Sequence, residues 1–145
     1  MAKQGNFLDV SPLQGARFFG AAEDGQVVML NLLRFREQAD YSHAPSLEPD
    51  GGITGREAYD RYMREMEPLL LASGGEVLFS GSAAGFLIGP EDECWDHVLL
   101  VRQASKAAFL AFASDPQAVL VTAHRTAAVA DSPLLPCRPE RAAGN

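Results

Sequence analysis

The run VVMLNLLRF at residues 27–35 constrains this chain more than any other segment, because apolar side chains occupy both of its alternating sets. A short run rich in branched residues, preceded by the turn dipeptide Asp24-Gly25, predicts a β-strand that is covered on both faces. Asn31 and Arg34 interrupt it with polar groups, and buried polar groups need partners. A polar feature is therefore expected beside this strand.

The composition is that of an ordinary globular protein, with 145 residues of which 47% are hydrophobic and 21% charged. This length predicts one domain. The net charge of −7 argues against a nucleic-acid partner, because phosphate binding needs a basic surface. No apolar stretch approaches the ~20 residues of a membrane span, and the N-terminus lacks a secretory pattern. Two cysteines without CxxC spacing predict a reduced, cytoplasmic protein.

Helix-start signals divide the first half of the chain. Residues 1–25 are expected to form an N-terminal extension, loosely held at its start, with one short helix that Ser11 caps. After the strand, residues 36–53 form a loop of Pro, Gly, Asp and Ser that is long enough to act as a mobile lid. Thr54 and Glu57 then match a capping box, which predicts a helix to about residue 73.

The second half repeats the alternation of strands and helices. We predict strands at about 76–88 and 95–102, helices from about 105 to 113 and from about 114 to 124, and a last strand at about 127–135. Residues 26–137 thus form the domain, and residues 138–145 are expected to be a disordered tail.

The resulting order, β-α-β-β-α-β, predicts an α+β, ferredoxin-like fold with an antiparallel sheet in the order 4-1-3-2 and helices on one face. The two most apolar strands occupy its centre, and Pro133 falls in an edge strand, where a missing N–H is tolerated. The central strands do not alternate between apolar and polar residues, so the second face needs a cover. A second copy of the sheet is the simplest cover, which predicts a homodimer through the sheet faces.

Several ordered motifs between about residues 24 and 137 carry a resemblance. They are VVMLNLLRF, GREAYDRYM, GG, LIGPEDECWDHVLLVR and HRTAAVADS. Together they resemble a bacterial domain-of-unknown-function family of the dimeric α+β barrel superfamily. The resemblance implies a ferredoxin-like protomer paired sheet to sheet, and it implies no activity. The wider superfamily contains cofactor-free oxygenases, small-ring isomerases and haem-handling enzymes, an analogy of fold alone.

Topology brings chemistry-bearing residues to one end of the sheet. The end of the first strand meets the start of the third, and the capped helix begins there too. The residues expected to gather at this end are Arg34, Tyr59, Trp95, Asp96, His97, His124 and Arg125. A few convergent polar groups in an apolar cleft are typical of a small-molecule site.

Roles follow from residue type, and alternatives stay open. Arg125 is the first choice for holding an anion, with Arg34 and Asn31 beside it. Arg34 could instead form a structural ion pair with Asp96, and Asn31 could bond neighbouring backbone. Trp95, Tyr59 and His124 complete the predicted ligand-binding set.

His97 and Asp96 are the candidate proton carriers of an enzyme, since an imidazole near a carboxylate titrates near neutral pH. No metal-ligand spacing or nucleophile motif is present, so neither a metal nor a cofactor is expected. Two function classes remain open. The chain is either a small cofactor-independent enzyme that positions an anionic or aromatic molecule, or a non-catalytic dimeric binding or structural module.

Overall fold

A computed structural model describes residues 7–21 and 25–140. The helices are α1 (Pro12–Gly20), α2 (Gly55–Ala72), α3 (Lys106–Ser114) and α4 (Pro116–Ala128), with a short 3₁₀ turn at Pro45–Leu47. The strands are β1 (Val27–Phe35), β2 (Glu76–Ser82), β3 (His97–Gln103), β4 (Val129–Asp131) and β5 (Leu134–Cys137). The end of the predicted tail, residues 141–145, lies outside the described residues.

The strands form one antiparallel sheet in the order β2-β3-β1-β4, and β5 also pairs with β1. This arrangement confirms the predicted ferredoxin-like fold and its strand order. The predicted last strand is two short strands, because Ser132 and Pro133 interrupt it between β4 and β5. Both parts still pair with β1, β5 at its start and β4 at its end.

Helix α4 continues to Ala128, so the prediction that it stops near His124 was wrong. A helix end leaves carbonyl oxygens without partners inside the helix. Here the carbonyl of Ala127 accepts from the amide of Asp40 at 2.9 Å, and that of Ala128 accepts from Arg36 at 2.8 Å. These donors lie about ninety residues away in the chain, so no local sequence signal reveals them.

The second strand is shorter than predicted, since β2 ends at Ser82. Beyond it the backbone pairs only through single contacts, including a bridge between Gly85 and Cys94 and a 3.0 Å hydrogen bond from the Trp95 amide to the Ala84 carbonyl. The segment therefore extends past the sheet as a hairpin arm without regular strand structure.

The described part of the N-terminal extension packs onto the domain. The Phe7 amide donates to Asp131 Oδ1 at 2.8 Å, and the Ser132 amide donates to the Phe7 carbonyl at the same distance. Ser11 caps α1 as predicted, accepting from the Gln14 amide. This part of the extension is consequently tied to the edge of the sheet.

Helix α2 begins with the predicted capping box. The Glu57 amide donates to Thr54 Oγ1 at 3.1 Å, and the Thr54 amide donates to Glu57 Oε1 at 2.9 Å. Both bonds satisfy backbone donors that the first helical turn leaves free. At the other end, Gly74 has a φ of 92°, as expected for a glycine that terminates a helix.

The two faces of the sheet differ in their cover. Odd-numbered residues of β1, among them Met29 and Leu33, pack with Tyr59 and Leu70 of α2 in the buried core. Even-numbered residues face away and are half-buried in the single chain. We call this second surface the outer face; its apolar members are Val28, Leu30, Leu32, Val98 and Leu100.

Gly55 lies where three elements meet. Its amide donates at 3.1 Å to the carbonyl of Arg36, the residue that follows β1. The Arg36 amide in turn donates to the carbonyl of Ala128 at the end of α4. A Cβ at residue 55 would collide with the Arg36 carbonyl oxygen and would lie 2.6 Å from that of Ala128. Only glycine permits this approach.

We therefore expect Gly55→Ala to lower the free energy of unfolding by about 3 kcal/mol or more, because backbone atoms must move to admit the methyl group. Urea unfolding measures the loss. Gly20→Ala is the matched control, because a Cβ there meets nothing within 4 Å. That control should change the free energy by less than about 1 kcal/mol. Equal effects of the two substitutions would contradict the role given to Gly55.

Candidate functional site

His97 lies on the helix-facing side of β3 and is 4% exposed. Ser80 Oγ lies 2.9 Å from its Nε2, and Arg56 Nη1 lies 3.4 Å from its Nδ1. A guanidinium has no lone pair, so Nδ1 can only accept from Arg56. The imidazole is therefore neutral, with its proton on Nε2 donated to Ser80 Oγ.

The electrostatics around His97 favour the same neutral form. Burial lowers its pKa below the usual 6.5, the Arg56 charge lowers it further, and Asp60 partly opposes both. Asp60 also pairs with Arg56, with Oδ1 3.3 Å from Nε on the surface of α2. Near neutral pH the site thus presents an uncharged base beside a fixed cation.

Aromatic rings surround the imidazole. The ring centroids of Tyr59 and Phe35 lie 5.9 and 6.0 Å from that of His97. The ring centroid of Tyr62 lies 5.5 Å from that of Tyr59. Burial raises the pKa of both tyrosine hydroxyls, while the charge of Arg125 lowers it. Within residues 7–21 and 25–140, neither hydroxyl makes a hydrogen bond.

Arg125 lies in the last turns of α4, on the helix side of the sheet. Its Nη2 donates to the buried Ser132 Oγ at 2.8 Å. No carboxylate in the described part of the chain forms an ion pair with it. The guanidinium therefore has a neutral acceptor in Ser132 and no anionic partner among the described residues, and the hydroxyls of Tyr59 and Tyr62 are within the reach of its charge.

Arg34 belongs to a different cluster. Its Nη1 pairs with the buried Asp131 at 3.1 Å, its Nη2 donates to the Cys94 carbonyl at 3.0 Å, and its guanidinium lies 4.3 Å from the centroid of the Trp95 ring. The alternative of an Arg34–Asp96 ion pair is wrong, because Asp131 is the residue in register with Arg34 on the adjacent strand.

Asp96 is exposed, and its Oδ2 accepts from the Phe35 amide at 2.8 Å. It immediately precedes His97, and successive residues of an extended chain point to opposite faces. The structure therefore does not bring Asp96 into the cluster around His97.

Asn31 uses its amide within the sheet. Its Nδ2 donates to the carbonyls of Met29 at 3.3 Å and Leu99 at 3.2 Å. Bonding to neighbouring backbone, one of the two alternatives, is therefore what the structure contains. Asn31 and Arg34 are three residues apart in β1, so they point to opposite faces and do not line one cleft.

His124 forms a second, separate cluster with the loop after β1. Its Nδ1 lies 2.8 Å from the Tyr41 hydroxyl, and its Nε2 lies 3.6 Å from Glu65 Oε2. Burial lowers the pKa of His124, Glu65 raises it and Arg61 lowers it. Tyr41 is 2% exposed, so this part of the predicted mobile lid is instead built into the helical layer.

Three residues of the site were not predicted: Arg56, Tyr62 and Ser80. Arg56, Tyr59 and Tyr62 are spaced three residues apart along α2, so their side chains lie on one face of this helix. Ser80 lies on β2, which pairs with β3 near His97. This spacing could have predicted from the sequence that Arg56 and Tyr62 lie beside Tyr59.

The described residues contain no group of three or more His, Cys, Asp or Glu side chains that could hold a metal ion. None of the helices in 7–21 and 25–140 combines the length and hydropathy needed to cross a membrane.

No protein-family model matches the chain. No curated protein matches it. Among solved structures it is similar to the RPA0582 protein of unknown function from Rhodopseudomonas palustris, with 38% identity and a TM-score of 0.81 over 94% of this chain and 98% of that one. A structure of methylated RPA0582 gives 36% identity and a TM-score of 0.81 over 97% and 99%. A dabb family protein with a ferredoxin-like fold from Mesorhizobium loti gives 15% identity and a TM-score of 0.46 over 79% and 97%.

The two buried histidines predict an acid sensitivity. The pKa values of His97 and His124 are lower in the folded chain than in the unfolded chain. As pH falls below 6.5, the unfolded chain therefore binds more protons at these two residues than the folded chain does. Their contribution to stability is thus complete above that pH and is lost on acidification. Urea unfolding at about pH 7.5 and about pH 5.5 measures the change.

Replacing both histidines by glutamine should reduce the loss of stability between the two pH values. His43→Gln is the matched control, because its ring is exposed, and it should lose as much stability as the unmodified chain. An unchanged pH dependence in the double variant would contradict the assignment.

Proposed function

The chain belongs to the family of the Rhodopseudomonas palustris RPA0582 protein, whose function is unknown, and we propose that it binds a small anionic molecule with an apolar or aromatic body. The ligand lies between the sheet and helices α2 and α4. Arg125 and Tyr59, both predicted from sequence, hold it together with Tyr62.

One observation carries this proposal: the positive charge of Arg125 acts on the hydroxyls of both Tyr59 and Tyr62, yet its described hydrogen bond goes to Ser132 and no described carboxylate pairs with it. The chain has an excess of seven negative charges, yet no described carboxylate pairs with Arg125. A partly buried guanidinium without an anionic partner is unfavourable. A carboxylate would accept two parallel hydrogen bonds from the guanidinium and further bonds from the phenols.

The body of the ligand follows from the neighbouring rings. Tyr59 contacts Phe35 at a centroid distance of 5.2 Å and Tyr62 at 5.5 Å, so these rings would form an aromatic wall beside the ligand. Such a wall favours a flat or apolar group through stacking and burial of apolar area. These contacts support an aromatic or unsaturated carboxylate over a small hydrophilic ion.

The two function classes, an enzyme and a non-catalytic binding module, differ in the role that they give to His97. As an uncharged base near the anion-binding donors, it supports a cofactor-independent enzyme, and it is the only one of the two predicted proton carriers that faces the helices. The alternative is a non-catalytic binding module, in which His97 serves only to join β2, β3 and α2. Both classes share the anion-binding donors.

Calorimetry with benzoate and with the uncharged benzamide tests the proposal. Arg125→Gln should weaken benzoate binding by about 10- to 100-fold, the value of a charge-assisted hydrogen bond, and should leave benzamide binding unchanged. Arg64→Gln is the matched control, because it removes an exposed positive charge from α2. The free energy of unfolding of Arg125→Gln should stay within about 1 kcal/mol, because no described carboxylate is left without its partner.

Two outcomes would contradict the proposal. Benzoate binding that is equal in Arg125→Gln and Arg64→Gln would show that the donors hold no anion. A loss of stability of about 3–5 kcal/mol in Arg125→Gln would instead identify Arg125 as the partner of a buried protein charge.

The proposed assembly is a homodimer in which the outer faces of two copies pack together. Apolar residues fill this face across both central strands, including Leu30 on β1 and Leu100 on β3, which are directly paired. Packing of two such faces resembles the core of a sandwich of sheets. Obligate interfaces of this kind often bury about 2,000 Å² or more.

Leu100→Glu should therefore convert a dimer to a monomer, because each interface would bury two unpaired carboxylates. Sedimentation velocity at micromolar concentration measures the change. Leu71→Glu adds the same charge on an exposed position of α2 and should leave the dimer intact. A monomer before any substitution would rule out this assembly.

A further inference from the structure

We propose that the site transfers a proton to and from carbon. The bound molecule carries a ketone carbonyl as well as its carboxylate. His97 removes a proton from the carbon next to that ketone, and Arg56 stabilises the enolate that forms. The substrate class is therefore a 2-oxo acid with an apolar or aromatic substituent. The inference rests on the proposed function, because Arg125 holds the carboxylate. Two features of the cluster around His97 support it.

The first feature is the position of the lone pair of the base. Arg56 can only donate, so the lone pair of His97 lies on Nδ1, 3.4 Å from the nearest Arg56 nitrogen, and Ser80 accepts the proton on Nε2. Removal of a proton from carbon is favoured when a base and a cation lie near the same carbonyl group. The tautomer that the Arg56 contact requires therefore places the lone pair of the base on the side where the cation lies.

The second feature is the exposed position of Arg56 and the weakness of its contact with His97. Its side chain is 52% exposed, its ion pair with Asp60 lies on the surface, and its contact with Nδ1 is long. A carbonyl oxygen is a better acceptor for the guanidinium than an imidazole at 3.4 Å. A substrate carbonyl that takes the Arg56 hydrogen bond releases Nδ1 to act as the base.

The step balances without any further reactant. The C–H bond breaks, its electron pair forms a C=C bond, and the carbonyl π pair moves to the oxygen, giving an enolate paired with Arg56. The proton forms an N–H bond at Nδ1, so the imidazole becomes an imidazolium that still donates to Ser80. Return of this proton to oxygen yields the enol, and return to carbon restores the ketone.

Proton exchange of phenylpyruvate in D₂O tests the proposal, with NMR following the loss of its C3 hydrogens. The protein should exceed the buffer rate by at least about 100-fold, the usual contribution of a positioned base. His97→Gln should return the rate to that of buffer. Arg56→Gln, a surface substitution that should not disturb folding, should lower it at least tenfold. His43→Gln is the control and should keep the full rate.

Calorimetry on the same samples separates the two proposals. Binding of phenylpyruvate without faster exchange would overturn proton transfer and leave the proposed anion binding standing. Absence of both would overturn both. Full exchange in both His97→Gln and Arg56→Gln would overturn the assignment of these two residues, even if the protein accelerates the reaction.

Discussion

The close backbone approach at Gly55 is the constraint on which the rest of the site depends. It joins the residue after β1, the first turn of α2 and the last carbonyl of α4 through two hydrogen bonds. The face of α2 that carries Arg56 and Tyr59 is thereby set against β3. Arg125 is fixed by the same contact, because it lies about one helical turn before Ala128.

The fold could be predicted because its signals are local. A serine cap, a capping box and a terminating glycine mark helix ends, and a run of branched apolar residues marks the central strand. These patterns act over a few residues and survive in the folded chain. The ends of α4 and β2 were less predictable, since α4 ends on amides from a distant loop and β2 loses its pairing gradually beyond Ser82.

The candidate site was predictable only in part. Tyr59 and His97 lie near one another because both lie on the helix side of the sheet, and the charge of Arg125 acts on Tyr59. Grouping Arg34 with Asn31 ignored the alternation of side chains in a strand, which the sequence alone already fixes. The partner of Arg34 needed more, because the choice of Asp131 over Asp96 depends on a register that shifts at the end of β1.

The alternation in β1 and β3 also separates two kinds of evolutionary change. Odd-numbered positions of these strands contact the helices, whereas even-numbered positions form the outer face. A substitution at Leu30 or Leu100 changes the outer face without placing a new atom near His97. Selection on the outer face and selection on the helix side of the sheet can therefore proceed independently within the same strands, because each side chain faces only one of the two.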